Sequence, residues 1–441
     1  MPAAPSPPSS AALRIAIIGG GIAGVNLALG LQARNLPFTL YERASGFREI
    51  GAGIGFSPNA ERAMGLLNPD VLATFKRVAN PNGEDYFRWA NGYETDAIFF
   101  SLYLGKDGFQ GARRSDILEE WARLIPDDKV VFSREVDTID DNDDGLTIRF
   151  KDGTTADADV VIGCDGIRSR IRQLVLPPKD PQSTAPNLAA IPHYSSKFCF
   201  RALVPMDAAL GALGPDHALK RVMYCGPSAH IVIYPVGNNS VLNVLVVLSD
   251  PLPWPDAQKY TARGSRSEAL ASFADWQPSA RKVVNLLPAQ MDKWAIFDMY
   301  EHPAPSYVRG RVCVAGDAAH AMGPHLGAGG GMGIEDALVL SAVLERAEEV
   351  VARGREATSK REVVERALRA YEVVRYERTQ KIVRLTREAV DLIQWRDPEV
   401  GRDADRFGPA ITQMFHYVWD YDVEEMVHEA VRSFEGGKSV E

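Results

Sequence analysis

A short β-rich run, Arg14–Ile18, leads straight into Gly19-Gly20-Gly21-Ile22-Ala23-Gly24, then a helical pattern from Ile22 to Arg34, then a second strand-like run, Phe38–Tyr41. No other feature constrains the fold of this chain as strongly. Gly19, Gly21 and Gly24 fit G-x-G-x-x-G at the point where a strand turns into a helix. The first glycine permits the tight turn, the second lets the backbone approach a pyrophosphate, and the third allows close helix–strand packing. The helix N-terminus then offers free N–H groups and a partial positive charge to phosphates. Glu42 ends the second strand 18 residues after Gly24, where an acidic side chain accepts hydrogen bonds from an adenosine ribose. The segment is expected to be a β-α-β dinucleotide-binding unit. The bland alternative is a glycine turn that serves packing alone.

Further strands are expected at Val130–Phe132, Leu146–Phe150 and Val160–Ile162, with hairpin turns at Asn142-Asp143-Asp144-Gly145 and Lys151-Asp152-Gly153. Residues 177–190, rich in Pro, Ser and Ala, read as a crossover. The texture then turns apolar and strand-like (Phe198–Val204, His230–Val236, Val241–Leu248), as for an antiparallel sheet inserted into the first domain. Val312–Ala315 returns the chain to that domain. From Ile334 the pattern is helical, and Val364, Leu368, Tyr371, Ile382, Leu385, Ala389 and Leu392 recur at about 3.5-residue spacing, a core-facing stripe. The expected division is a disordered tail 1–12, a dinucleotide-binding domain 13–190, a substrate-binding β-sheet domain 191–300, a return segment 301–345 and a C-terminal helical region 346–441.

Composition sets the outer limits. The 441 residues suffice for two or three domains of ordinary core size. A net charge of −9 with no basic block argues against nucleic acid or an anionic membrane as the main partner. No apolar run of spanning length lies outside the Gly-rich segment 15–31, and the N-terminus lacks a signal-peptide pattern, so a cytoplasmic location is expected. Cys164, Cys199, Cys225 and Cys313 form no C-x-x-C pair, so they read as buried free thiols and no metal site is expected.

The run Val312–Ala315 ends in Gly316-Asp317-Ala318-Ala319-His320, a second nucleotide-binding signal about 300 residues after the first. With it, several segments from residue 14 to about 390 resemble, in order, the FAD-dependent aromatic hydroxylases that have a single nucleotide-binding domain, the salicylate- and para-hydroxybenzoate-hydroxylase type. Gly51-Ala52-Gly53-Ile54-Gly55-Phe56-Ser57-Pro58-Asn59-Ala60 resembles their loop beside the flavin, and Arg114-Ser115-Asp116-Ile117-Leu118 the segment whose arginine reaches the cofactor. Asp165-Gly166-Ile167-Arg168-Ser169-Arg170 resembles the Asp-Gly motif that serves both FAD and NAD(P)H. Asp317 falls where the family's aspartate holds the ribityl chain. Pro324 to Ala337 resembles the loop and helix start that follow, and Tyr371 to Arg378 a helical Tyr-x-x-x-Arg-x-x-Arg element. Ala328 departs from the pattern, since many relatives carry Gln there.

The resemblance implies an α/β fold: an FAD-binding Rossmann-like domain of the glutathione-reductase type, an inserted antiparallel β-sheet substrate domain and C-terminal helices. It implies Gly19, Gly21, Gly24, Glu42, Gly55, Arg114, Asp165, Asp317 and Gly330 as FAD-binding residues, with NAD(P)H and O₂ as co-substrates. Gly329 to Gly333 would open a helix whose free N–H groups face the flavin and stabilise negative charge on the reduced ring. No second G-x-G-x-x-G follows a later strand, so a dedicated NAD(P)H domain is not expected.

On the substrate side, alternation puts His230, Val232 and Tyr234 on one strand face. Arg201 lies in an otherwise apolar strand, where a guanidinium is costly unless paired. These segments, with Phe47 to Gly53 and Trp419-Asp420-Tyr421-Asp422, resemble the fungal hydroxylases that dearomatise resorcinol-type aldehydes and ketones in tropolone, sorbicillinoid and azaphilone pathways. There the matching Arg201 and Tyr234 hold the substrate phenolate, and a flavin C4a-hydroperoxide delivers oxygen to the ring. A structural ion pair is the alternative for Arg201, sheet packing for Tyr234, a satisfied core imidazole for His230, and loop packing for His325, which otherwise contacts substrate or flavin. The expected partner is a small phenolic molecule; oligomeric state stays open. Decarboxylative hydroxylation of a salicylate uses the same machinery. A halogenase would carry a Trp-x-Trp pair, which is absent. A reductase of the same fold and a non-catalytic FAD-binding module are the remaining rivals.

Overall fold

The run Ile15–Ile18 is buried at every residue and becomes the middle of a six-stranded sheet. The computed structural model describes residues 12–47, 53–83, 85–106, 108–178, 185–256, 259–354 and 359–436. The tail 1–11 lies outside them, as do residues 48–52, which belong to the motif from Phe47 to Gly53 and, at 51 and 52, also to the motif from Gly51 to Ala60. Ile15–Ile18 pairs in parallel with Phe38–Tyr41 on one side and Val160–Gly163 on the other; Val160–Gly163 pairs in parallel with Val312–Val314. Strand order therefore reverses about Ile15–Ile18, and the crevice beyond the carboxyl ends of such strands is where α/β sheets bind ligands. The glycine turn opens the helix Ile22–Ala33, which packs against the helix Gly329–Arg353. A three-stranded antiparallel sheet, Val136–Asn142, Gly145–Phe150 and Thr155–Ala158, contains both expected hairpin turns.

The second sheet has eight strands: Thr261–Ser265, Gln290–Asp298, His193–Pro205, Val241–Ser249, Ala229–Val236, Arg221–Gly226, Tyr86–Asn91 and Ile98–Tyr103, in that spatial order. The last two correct the sequence-based division, which puts residues 86–103 in the first domain. Tyr86–Asn91 instead runs parallel to Arg221–Gly226 and extends an otherwise antiparallel sheet. Sequence pattern cannot show this, because the pairing joins segments more than a hundred residues apart.

One sheet face, with Phe200, Val222, Ile231, Ile233, Val244 and Val246, is buried under short helices from residues 206–218 and 266–285. The opposite face carries Trp89, Met223, Val232, Leu245 and Val247 and looks towards the first domain. The helix Lys360–Ile393 spans both units. A capping box between Ser359 and Glu362 starts it. Its stripe residues Val364, Leu368 and Tyr371 are buried in the dinucleotide-domain core, and Ile382, Leu385, Ala389 and Leu392 in the core behind the second sheet. All four cysteines are buried and free. Among the described residues no helix is long and apolar enough to cross a membrane.

Candidate functional site

At the strand-order reversal lies a cleft of about 270 Å³, and Gly19, Gly21, Glu42 and Asp165 all line it. Gly19 sits at φ +106°, and a Cβ there would fall 2.5 Å from the Cys164 carbonyl oxygen. A Cβ on Gly24 would fall 1.9 Å from the Gly19 carbonyl oxygen, so this glycine is required by the fold itself. Gly21 differs: a Cβ there would meet no protein atom within 4 Å. It faces open space at the N-terminus of Ile22–Ala33, as a glycine against a pyrophosphate should. Glu42 accepts from the Gly20 N–H and the Ala44 N–H, both at 2.7 Å, which aims its carboxylate along the cleft edge. Asp165 accepts from Ser169 Oγ (2.6 Å) and from the N–H groups of Arg170 (2.7 Å) and Ile171 (3.1 Å), so it holds the start of the helix Arg170–Val175 while lining the cleft.

The return motif comes back to the same helix end. Cβ atoms on Gly316 and Gly333 would lie 2.7 and 3.1 Å from the Ala23 methyl, so the two distant glycine motifs interlock across one residue. Asp317 is exposed at the first turn of Asp317–His320, and its Oδ1 points towards Gly329. Gly330 lies in the first turn of Gly329–Arg353 against the Phe56 ring. Gly55, in the strand Gly53–Phe56, has the Phe109 ring where a Cβ would be, at 1.9 Å. That strand pairs with Gln110–Arg113, which places half-buried Arg114 at the start of the next helix. The cleft, the bare turn at Gly21 and the exposed carboxylate of Asp317 fit an FAD molecule, with the Glu42 carboxylate held at the cleft edge.

Beneath the return motif is a fully buried ionic cluster that sequence reasoning reaches only as a resemblance. Glu335 takes Arg378 Nε (2.7 Å) and Nη2 (2.8 Å), Arg375 Nη1, and Asn59 Nδ2 (2.7 Å). Asp336 takes Arg375 Nε (2.7 Å), His320 Nε2 (2.6 Å) and the Gly316 N–H (2.8 Å). Burial alone would raise both carboxyls. The Arg378 and Arg375 charges override it at Glu335, and His320 and Arg375 at Asp336, leaving each at about 2. His320 therefore holds the motif in shape. Arg378 also lies 3.5 Å over the Tyr421 ring, tying the C-terminal segment to the same cluster.

On the sheet face towards the first domain, the strand registers place Arg201 across Leu245 from Val232, and Val232 is flanked by His230 and Tyr234. Arg201, His230, Val232 and Tyr234 share that face. Arg201 and Tyr234 are two strands and two residues apart, about 12 Å between Cα atoms at ordinary sheet spacing, so they do not meet directly. The Arg201 guanidinium lies 3.8 Å over the Trp294 ring. Tyr234 meets Phe109 edge-on at 6.3 Å, and burial pushes its hydroxyl well above the ordinary value, against the pull of Arg221. His230 is buried and stands 5.5 Å from His325, in the loop Pro324–Leu326. Burial, with Lys197 nearby, pushes His230 down to about 3, and burial, His230 and Lys197 push His325 well below its ordinary range. Both rings are neutral. Cys199, Val247, Ile296, Leu245 and Trp294 form an apolar wall beside them.

Sequence reasoning misses Arg221, which is only 4% exposed and lies 3.8 Å from the Asp85 carboxylate. Continuing the register Val222–Ile233 by one residue puts Arg221 opposite Tyr234. The signal is present: it is an arginine opening an apolar strand, as telling as Arg201. Lys197 and Gln394, buried beside His230, are missed too; nothing local to their sequence marks either.

Residues 12–188 and 217–377 match the family model described as FAD binding domain. The chain is 46% identical to the FAD-dependent monooxygenase orf3 of Aspergillus niger, over 97% of this chain and 98% of that protein. It is 46% identical to the FAD-dependent monooxygenase pigN of Monascus ruber, over 96% and 97%. A solved salicylate hydroxylase in its substrate complex superposes with a TM-score of 0.82 at 28% identity, covering 96% of this chain and 99% of that one.

Proposed function

The chain belongs to the FAD-dependent monooxygenases of the salicylate-hydroxylase type, and from that premise we propose that it uses NAD(P)H and O₂ to hydroxylate a phenolic ring of the resorcinol-type aldehyde or ketone class, with loss of aromaticity. When bound, FAD would supply the redox and oxygen-activation chemistry, with NAD(P)H as the source of its electrons. The residues of this chain bind the ring, keep it ionised and keep it dry. The observation that carries the reading is the placement of Arg201, His230 and Tyr234 on one sheet face beside an apolar wall and the His325 loop.

A neutral phenol is a poor nucleophile and its phenolate a far better one. A fixed guanidinium favours the anion through its charge. Held on the Trp294 ring, Arg201 is such a charge. Tyr234 stays protonated and so donates a hydrogen bond. The roughly 12 Å between their Cα atoms leaves room for one substituted benzene ring between the two side chains. FAD would be held by Gly19, Gly21, Gly24, Glu42, Gly55, Arg114, Asp165, Asp317 and Gly330. The apolar wall excludes water, which protects a reactive oxygen donor from wasteful breakdown. A second reading, decarboxylative hydroxylation of a salicylate, draws on the superposition with salicylate hydroxylase.

The test follows NADH and NADPH oxidation by the FAD-loaded protein with 2,4-dihydroxybenzaldehydes, the matching ketones and salicylates, with products read by mass spectrometry. A product that gains one oxygen and loses aromatic absorbance supports the dearomatising reading; CO₂ release supports the salicylate one. Arg201→Gln should abolish product while FAD stays bound. Unchanged turnover in that variant removes Arg201 from the chemistry, and no stimulation by any phenol removes the reading as a whole.

A further inference from the structure

At the end of the sheet face away from Tyr234, a line of polar side chains runs from His230 to the surface. Gln394, the residue that closes the helix Lys360–Ile393, is fully buried. Its Nε2 lies 3.1 Å from His230 Nδ1, and its Oε1 lies 2.6 Å from Ser249 Oγ. Ser249 Oγ also receives Arg396 Nη1 at 3.0 Å, and Arg396 pairs with Asp391 at 3.6 Å on the exposed side. The direction of each bond follows from what each group can do. Arginine has only donors, so Ser249 Oγ accepts there and its one O–H is left to donate. It donates to Gln394 Oε1, which turns the Gln394 amide nitrogen, a pure donor, onto His230. The Val247 carbonyl, 3.5 Å from the same nitrogen, agrees with that orientation. A donor arriving at Nδ1 needs the lone pair there, so the proton of the neutral ring resides on Nε2.

We infer that Gln394 is a positioning residue that locks His230 in its Nε2–H tautomer, so that the ring offers a hydrogen-bond donor, and no acceptor, to a ligand on the sheet face. The ligand class rests on the monooxygenase reading of the site: this tautomer selects a phenolate or other oxyanion over a neutral phenol, whose O–H would find no acceptor on the ring. Lys197 on His193–Pro205 is the charge that acts on the ring, and His325 faces the ring from its loop. Lys197 and His325 in turn feel Arg387 on Lys360–Ile393, and Lys197 also feels Asp391 on that helix, Arg396 just beyond it and Asp298 on Gln290–Asp298. Arg387 is closed on Asp298 at 2.9 Å.

Two measurements test the inference. Heteronuclear NMR of histidine-labelled protein near neutral pH, without substrate and with His230 identified by the signal lost in His230→Gln, should show Nε2 protonated and Nδ1 bare. A proton on Nδ1 overturns the lock whatever the enzyme's substrate. Gln394→Glu replaces the donor with an acceptor. At low pH an imidazolium still presents Nε2–H; as pH rises and the ring loses a proton, the introduced carboxylate keeps the remaining one on Nδ1 and a bare Nε2 faces the ligand. Phenol turnover by this variant should therefore fall with rising pH where the wild type does not, and a profile parallel to wild type overturns the donor role. Gln394→Met, which keeps volume and removes the donor, should raise KM for the phenol roughly five- to tenfold, the loss of about one hydrogen bond, with FAD still bound; an unchanged KM overturns it. The expected tautomer with no phenol-stimulated turnover upholds the lock and overturns the functional reading instead.

Discussion

Replacing Glu335 with Gln probes the buried cluster beneath the return motif most sharply. In the wild-type cluster two guanidinium charges, Arg375 and Arg378, face two carboxylates, Glu335 and Asp336, with His320 also on Asp336, all essentially without solvent contact. Glu335→Gln leaves two arginines facing one carboxylate and turns an amide N–H₂ onto guanidinium donors. Breaking one partner out of a buried ion pair costs about 3–5 kcal/mol, and that is the expected loss in unfolding free energy. Arg378→Gln should cost a similar amount, because it strands the opposite charge. The double variant restores the wild-type net charge of the cluster, so its loss should fall short of the sum by at least about 2 kcal/mol, as coupled neighbours do. Urea unfolding of the FAD-loaded protein, compared at fixed FAD concentration, reads all four corners of the cycle. The pH sign follows from the depressed Glu335 carboxyl, at about 2 when folded against 4.5 ordinarily. A depressed carboxyl stabilises the fold above its unfolded pKa, and that contribution is lost as pH falls towards the folded one. The gap between wild type and Glu335→Gln should thus narrow as pH drops from about 5 towards 2. Single variants within about 1 kcal/mol of wild type, or strict additivity in the double, would refute the picture of a charge-coupled cluster.

Gly24→Ala should fail to fold, since its methyl would overlap the Gly19 carbonyl, whereas Gly21→Ala should fold normally and lose FAD affinity, because only a ligand occupies that space; circular dichroism with flavin fluorescence separates the two, and tight FAD binding by Gly21→Ala contradicts the pyrophosphate placement. Asp317→Ala should weaken FAD binding about 10- to 100-fold, the worth of one charged hydrogen bond, while unfolding without FAD shifts by less than about 0.5 kcal/mol, as for an exposed side chain; an equal loss of stability would make its role structural. His230, held at about 3 against 6.5 ordinarily, makes the folded state resist protonation. Stability should therefore decline as pH falls below about 6.5, and His230→Gln should flatten that slope in chemical denaturation.

Local sequence determined the dinucleotide unit, both hairpin turns, the apolar strands 198–248 and the buried stripe of the long C-terminal helix. Each is set by signals a few residues apart: glycines at fixed offsets, an alternation of every second residue, and helical spacing. It also determined that His230, Val232 and Tyr234 share a face, because strand alternation alone requires it. Tertiary structure decided everything that depends on register between distant strands. It moved residues 86–103 into the second sheet, set one strand between those of Arg201 and Tyr234, and set Arg221 opposite Tyr234. It closed Glu335 and Asp336 onto two arginines about forty residues away and brought Gln394 to His230 from 164 residues along the chain. Those pairings come from burial without solvent, where each charge and each polar hydrogen must find a partner wherever the chain supplies one.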